Sequence, residues 1–134
     1  MLIIDRAEGR SVYIGKDITV TVLGVRDDVA EFMVTAPATA AVSASTAGMA
    51  AHVEAQLGLE RMGGGPVVPR RMTLRTGMAL LIGRGVTVLL SAIERDGDAR
   101  IGIEAPRHMA VSRDDFTFEE HMEFQRKRDA GVRA

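Results

Sequence analysis

The second half of this chain repeats the first, so two structural units have to be read before any fold is assigned. Gly9, Ile14, Gly15, Thr19 and Val20 recur 68 positions later as Gly77, Ile82, Gly83, Thr87 and Val88. Ala36-Pro37 and Ala41-Val42-Ser43 recur 69 positions later as Ala105-Pro106 and Ala110-Val111-Ser112. The next residue is Ala44 in the first copy and Arg113 in the second. Each copy offers roughly 45 residues of strand-like sequence plus one helix, a unit that seldom folds alone without a disulfide, a metal or a partner. The chain has no cysteine, and His52, His108 and His121 are scattered without metal-ligand spacing. Neither a disulfide nor a metal nor any other cofactor is expected, so the two copies are expected to share one core.

Short runs rich in β-branched residues open each copy, as pleated strands prefer. In the first copy they cover residues 2–4, 11–14, 18–25, 29–34 and 40–43. Ile18, Val20 and Val22 alternate with Thr19 and Thr21, the pattern of a strand with one dry face. Ala36-Pro37 predicts a strand end, because the residue before proline is steered to extended backbone and proline lacks a ladder donor. The second copy runs in parallel over 71–74, 79–82, 86–93, 100–104 and 109–112. Its turn Asp96-Gly97-Asp98 carries one extra residue, which accounts for the change of offset from 68 to 69. Each copy is expected to end in a helix: one over 46–59, with Met49, Val53 and Leu57 on one face, and one over 114–129. The second has acids early (Asp115, Glu119, Glu120) and bases late (Arg126, Lys127, Arg128), as the helix dipole favours. Gly63-Gly64-Gly65-Pro66 reads as a flexible linker with a stiff stop. The organisation expected is a repeat over 1–62, a linker over 63–69 and a second repeat over 70–134.

Charge is unevenly shared. Residues 1–67 hold 5 basic and 8 acidic side chains, residues 68–134 hold 12 and 10. If an anion binds, the second copy supplies most of the charge. No apolar run reaches the ~20 residues of a membrane span, and the start Met-Leu-Ile-Ile-Asp is too short and acidic for a signal peptide, so a cytoplasmic protein is expected. Enzyme readings find little support: no serine sits in a nucleophile elbow, and Gly63-Gly64-Gly65 lacks the lysine that a phosphate loop requires.

The series Met1-Leu2-Ile3, Gly9, Ile14-Gly15 and Ile18-Thr19-Val20-Thr21-Val22-Leu23-Gly24-Val25 resembles the carbon storage regulator (CsrA/RsmA) family of bacterial translational regulators. Residues 1–42 fit the family pattern from end to end, and residues 101–115, Ile-Gly-Ile-Glu-Ala-Pro-Arg-His-Met-Ala-Val-Ser-Arg-Asp-Asp, are similar to its closing strand. The resemblance implies a mostly β fold in which two intertwined five-strand-plus-helix units form a β-barrel or sandwich with two helices. Family members are homodimers of ~60-residue chains; this chain looks like such a dimer written as one, a monomer acting as a pseudo-dimer. The implied activity is binding of GGA-containing loops in messenger leaders or small RNAs.

Carried over residue by residue, the resemblance joins the first strand of one copy with the last strand of the other. One RNA site would hold Leu2, Ile4 and Arg6 with Pro106, Arg107, Val111 and Arg113. Single-stranded bases offer their edges to strand backbone, apolar side chains cover base faces, and arginine holds phosphate or a guanine edge. The mirror site would hold Val42, Ala44, Met72 and Leu74, with Ala44 in place of the arginine, Leu74 where a base is expected and Ser45-Thr46 in place of Asp-Asp. The register of residues 70–75 leaves Arg71 or Arg75 as partial substitutes. Met33 stands where the family tends to have glycine, while the second copy keeps Gly102. The expectation is a decayed second site and one RNA per chain.

Plainer roles are open to the same residues. Arg113 can pair with Asp114 or Asp115, Asp5 or Glu8 can neutralise Arg6, and Ile4 and Val111 can be half-buried strand residues. Phe116, Phe118, Met122 and Phe124 cannot share one helix face, which predicts exposed apolar surface at the last helix. In the family a flagellar assembly protein can dock in that region and block RNA. A second functional reading, motivated by the acidic first copy and the missing arginine, is a protein-interaction module or antagonist of CsrA-type regulators without RNA affinity.

Overall fold

Alternation of apolar and polar residues gives ten strands and one helix in the computed structural model, which describes residues 1–46, 66–83 and 85–133. The strands are β1 (Leu2–Arg6), β2 (Ser11–Ile14), β3 (Ile18–Arg26), β4 (Val29–Pro37), β5 (Val42–Thr46), β6 (Val67–Arg75), β7 (Met78–Ile82), β8 (Val86–Ile93), β9 (Ala99–Glu104) and β10 (Val111–Arg113). The helix, α1, is Phe118–Arg133. Residues 47–59 of the first helix expected over 46–59, its Met49, Val53 and Leu57 stripe, and Gly63-Gly64-Gly65 lie outside the described residues, while residue 46 ends β5.

The strands form two antiparallel five-stranded sheets, ordered β1-β9-β8-β7-β5 and β10-β2-β3-β4-β6. Each sheet has a three-stranded meander from one half at its centre and strands from the other half at both edges. Leu2 lies opposite Ile103 and Ile4 opposite Ile101, while Val111 lies opposite Ile14 and Arg113 opposite Val12. The inner faces close one core: Val12, Ile14, Val20, Phe32 and Val34 pack in the same cluster as Leu74, Leu80, Val88, Leu90 and Ile101.

The sequence repeat is a geometric repeat in detail. The ladder shifts register between Val22 and Gly24 on β3, and again between Leu90 and Ala92 on β8. Gly9 and Gly77, at φ of 85° and 92°, occupy the left-handed region that a residue without Cβ reaches freely. Their amides donate to Val22 O at 2.7 Å and Leu90 O at 2.8 Å. The halves also bond reciprocally: Gly15 N donates to Ala110 O at 2.8 Å and Gly83 N to Ala41 O at 2.7 Å.

Several boundaries differ from expectation: the strand expected over 40–43 is Val42–Thr46 and that over 109–112 is Val111–Arg113. β6 begins at Val67, inside the stretch read as linker, and carries Pro69 opposite Thr35. An edge strand tolerates that proline because its outer side needs no ladder donor. The last helix begins at Phe118, not Asp114. Thr117 and Glu120 form a capping box: Thr117 N donates to Glu120 Oε1 at 3.0 Å and Glu120 N to Thr117 Oγ1 at 3.1 Å. Residues 114 and 115 stay in a turn, where their carboxylates serve other partners.

α1 is fixed to the β10–β2 edge by two fully buried polar side chains, His121 and Gln125. His121 Nε2 bonds Gly15 O at 2.6 Å and its Nδ1 meets Ser112 Oγ. Gln125 Oε1 accepts from Ala110 N at 2.8 Å, and its Nε2 donates to His108 O at 2.7 Å. Tyr13 closes the contact, edge-on to Phe118 with ring centroids 5.6 Å apart. Every polar atom of the pair is used, which makes the pair's burial tolerable.

A shared core predicts a single unfolding event. Phe32→Ala in the first half and Leu90→Ala in the second each cost about 3–4 kcal/mol. Each should shift one common urea transition, read by circular dichroism, with unchanged slope. Two separable transitions, each sensitive to only one substitution, would contradict the fold. His121→Ala strands the Gly15 carbonyl and Ser112 hydroxyl and is expected to cost about 3 kcal/mol in the same measurement.

Candidate nucleic-acid interface

β1 and β10 are the outermost strands of different sheets, so each presents one row of unpaired backbone groups. Between them runs an open groove of about 690 Å³, in which Leu2, Ile3 and Ile4 face Val111 and Arg113. Leu2 and Ile3 are 42% and 60% exposed, high values for aliphatic side chains in a strand. α1 contributes to the same groove. Of the residues carried over from the family pattern, Leu2, Ile4, Val111 and Arg113 therefore meet in one place. Arg6, Pro106 and Arg107 do not line it, although Arg107 lies at its far end, where its carbonyl accepts from Arg128 Nη1 at 2.9 Å.

Arg6 has a different partner from the Asp5 or Glu8 anticipated. It is 9% exposed, and its Nη1 donates to Asp114 Oδ1 at 3.0 Å. Neither Asp5 nor Glu8 neutralises it. Asp5 instead accepts from Arg100 Nε at 3.2 Å, and this hydrogen bond, with Glu94 nearby, holds the Arg100 guanidinium above its ordinary range. Asp114 gathers three partners: Arg6, Arg10 Nε at 3.0 Å, and the Ser11 amide, which donates to Oδ2 at 2.9 Å. Arg10 also pairs with Asp115. The β10–α1 turn of the second half is thereby clamped onto β1 and the start of β2 in the first.

Arg113 follows β10 outward. Its Nε stands 3.4 Å from Asp115 Oδ2, and the side chain stays 49% exposed. A loose, solvated pair of this kind is worth well under 1 kcal/mol, so the guanidinium is available to a stronger anion. Among the described residues no three His, Asp or Glu side chains converge as a metal site.

The mirror edge pairs β6 with β4 and β5 with β7. Its register is settled by the ladder: Met72 lies opposite Phe32 as Ile4 lies opposite Ile101, and Leu74 opposite Ala30 as Arg6 opposite Ala99. Ala44 lies opposite Leu80 as Arg113 lies opposite Val12. Arg71 and Arg75 therefore fall one position to either side of the alternate residues and do not replace Arg6. Arg71 pairs with Glu31 at 2.5 Å, and Leu74 is wholly buried. Val42 is half-buried beside Ile82. The arginine, its aspartate clamp and the strand-end arginine are all replaced together.

Sequence reasoning missed the Asp114 clamp, Arg10 and the His121–Gln125 anchor. The spacing Thr117-x-x-Glu120 was the available signal that residues 114–115 precede the helix.

Asp114→Ala leaves a buried guanidinium and the Ser11 amide without their acceptor and is expected to cost about 2–3 kcal/mol in urea unfolding. Asp115→Ala, at an exposed pair, should cost under ~1 kcal/mol. Arg6→Leu with Asp114→Ser copies the mirror edge, and the double variant should lose about 1 kcal/mol less than the two single losses added. Strict additivity would show that the clamp does not couple the halves.

Compared with models of protein families, residues 1–45 match CsrA, the global regulator protein family. Searches among curated proteins and among solved structures found no match. The matched stretch carries β1 through β4 and most of β5, and so includes one wall of the groove, Leu2 to Ile4. Over residues 1–45 this chain is thus similar to the CsrA global regulator protein family.

Proposed function

We propose that this protein is a post-transcriptional regulator, two CsrA-like units fused in one chain, that binds GGA-type single-stranded loops of messenger leaders or small RNAs through one site. The observation that carries the reading is the groove between β1 and β10, where Leu2 and Ile4 of the first half face Val111 and Arg113 of the second. Its chemistry suits unpaired RNA. Exposed aliphatic side chains cover base faces, strand-edge amides and carbonyls meet base edges, and a solvated arginine offers a bidentate donor fork. Arg6 acts by holding Asp114, and with it the β10–α1 turn that sets the position of Arg113. On the β6–β5 edge Leu74 is buried where Arg6 stands and Ala44 takes the position of Arg113, and this edge is read as inactive.

Fluorescence anisotropy with a GGA-loop hairpin tests the reading. The wild-type chain should bind, and changing the GGA of the loop should abolish binding. Arg113→Ala should weaken it about 10- to 100-fold, the worth of a charge-assisted contact. Ala44→Ser, on the mirror edge, should leave it unchanged. Absence of wild-type binding at moderate salt, or equal sensitivity to Ala44 and Arg113, would overturn it.

A further inference from the structure

The two long faces of α1 differ in charge, and the difference tracks the groove. The outer face, around Phe118, carries Glu119, Glu120 and Glu123, with Arg126 paired to Glu123. The inner face turns Phe124, Lys127 and Arg128 toward β1 and β10. Among the described residues no Asp or Glu lines the groove, whereas three cations, Arg113, Lys127 and Arg128, do. Among the described residues Lys127 and Arg128 have no carboxylate partner, and Arg128 is steadied only by the Arg107 carbonyl. Phe116 and Phe124 pack edge to face with centroids 5.3 Å apart, yet remain 39% and 37% exposed.

An exposed aromatic pair flanked by unpaired cations, beside a strand edge that takes single-stranded bases, fits the continuing backbone of the same strand. Aromatic faces stack bases irrespective of sequence, and Lys and Arg hold phosphates. We propose that α1 is a third wall of the RNA groove, stacking a base on Phe116 and Phe124 and binding phosphates of the flanking nucleotides with Lys127 and Arg128. This rests on the RNA-binding reading above. It gives the site a longer footprint than the recognised triplet, with affinity added by nucleotides of any sequence.

The test compares three linear RNAs: one with GGA and its immediate neighbours, and two extended by several uridines at the 5′ or the 3′ end. In anisotropy titrations at fixed salt, one extension should bind the wild-type chain about 10-fold tighter than the short RNA. That gain, read as the ratio of extended to short RNA affinity within each variant, should vanish in Phe124→Ala and in the Lys127→Ser/Arg128→Ser double variant. Arg126→Ser removes a charge from the outer face and should preserve the gain, separating contact from bulk charge. Arg113→Ala should weaken all three RNAs. Melting curves confirm folding, and the double variant at exposed positions carries the test if Phe124→Ala is unstable. If the short RNA binds but neither extension adds affinity, or the gain survives the α1 variants, or Arg126→Ser abolishes it equally, this inference fails and the function stands. If no RNA binds, both fail.

Discussion

Everything in this molecule depends on covering four sheet edges. Each half supplies a three-stranded meander, β2-β3-β4 or β7-β8-β9, whose two flanks would otherwise expose a full row of backbone donors and acceptors. Each flank is covered by a strand of the other half, so neither meander is complete alone. The apolar faces then meet in a common core from Val12 to Ile103. Exchange also explains why a groove exists. β1 and β10 are sequence-distant, but each is the edge strand laid on the other half, and the exchange brings them side by side.

The two sides of the molecule differ residue by residue. The β1–β10 side holds Arg6, Arg10, Asp114 and Arg113 as a linked set, with Asp114 bonded to two guanidiniums and a backbone amide. On the mirror side Leu74 fills the position of Arg6, and Ala44, Ser45 and Thr46 fill those of Arg113, Asp114 and Asp115. Such a set changes most readily as a whole, because a buried charge that loses one partner costs more than a clean apolar replacement. Leu74 joins the core with no exposure, which is the apolar solution to the same space.

Much of this was legible in the sequence. Strand positions followed from alternation, as in Ile18-Val20-Val22, whereas the register of residues 70–75 stays open in the sequence, and the ladder sets Met72 and Leu74 at the positions of Ile4 and Arg6. What failed was local and has physical causes. Val67 to Pro69 read as linker, yet an edge strand accommodates Pro69. Asp114 and Asp115 looked like helix-start acids favoured by the dipole, but their carboxylates are taken by arginines 104 to 108 positions away and by Ser11, contacts no local pattern encodes. The sequence offers Asp5 or Glu8 as neutralising neighbours of Arg6, and its partner is Asp114 for the same reason. The burial of His121 and Gln125 was equally hidden, since it depends on the exchanged β10 reaching the Gly15 turn.

The most direct test of the account is a nuclear Overhauser spectrum of the full chain, with an isotope-filtered experiment on mixed labelled and unlabelled protein. The account predicts backbone contacts between Leu2 and Ile103, Ile4 and Ile101, and Val111 and Ile14, all arising within single chains. Contacts of β1 with strands of its own half, or the same contacts appearing only between labelled and unlabelled chains, would contradict it.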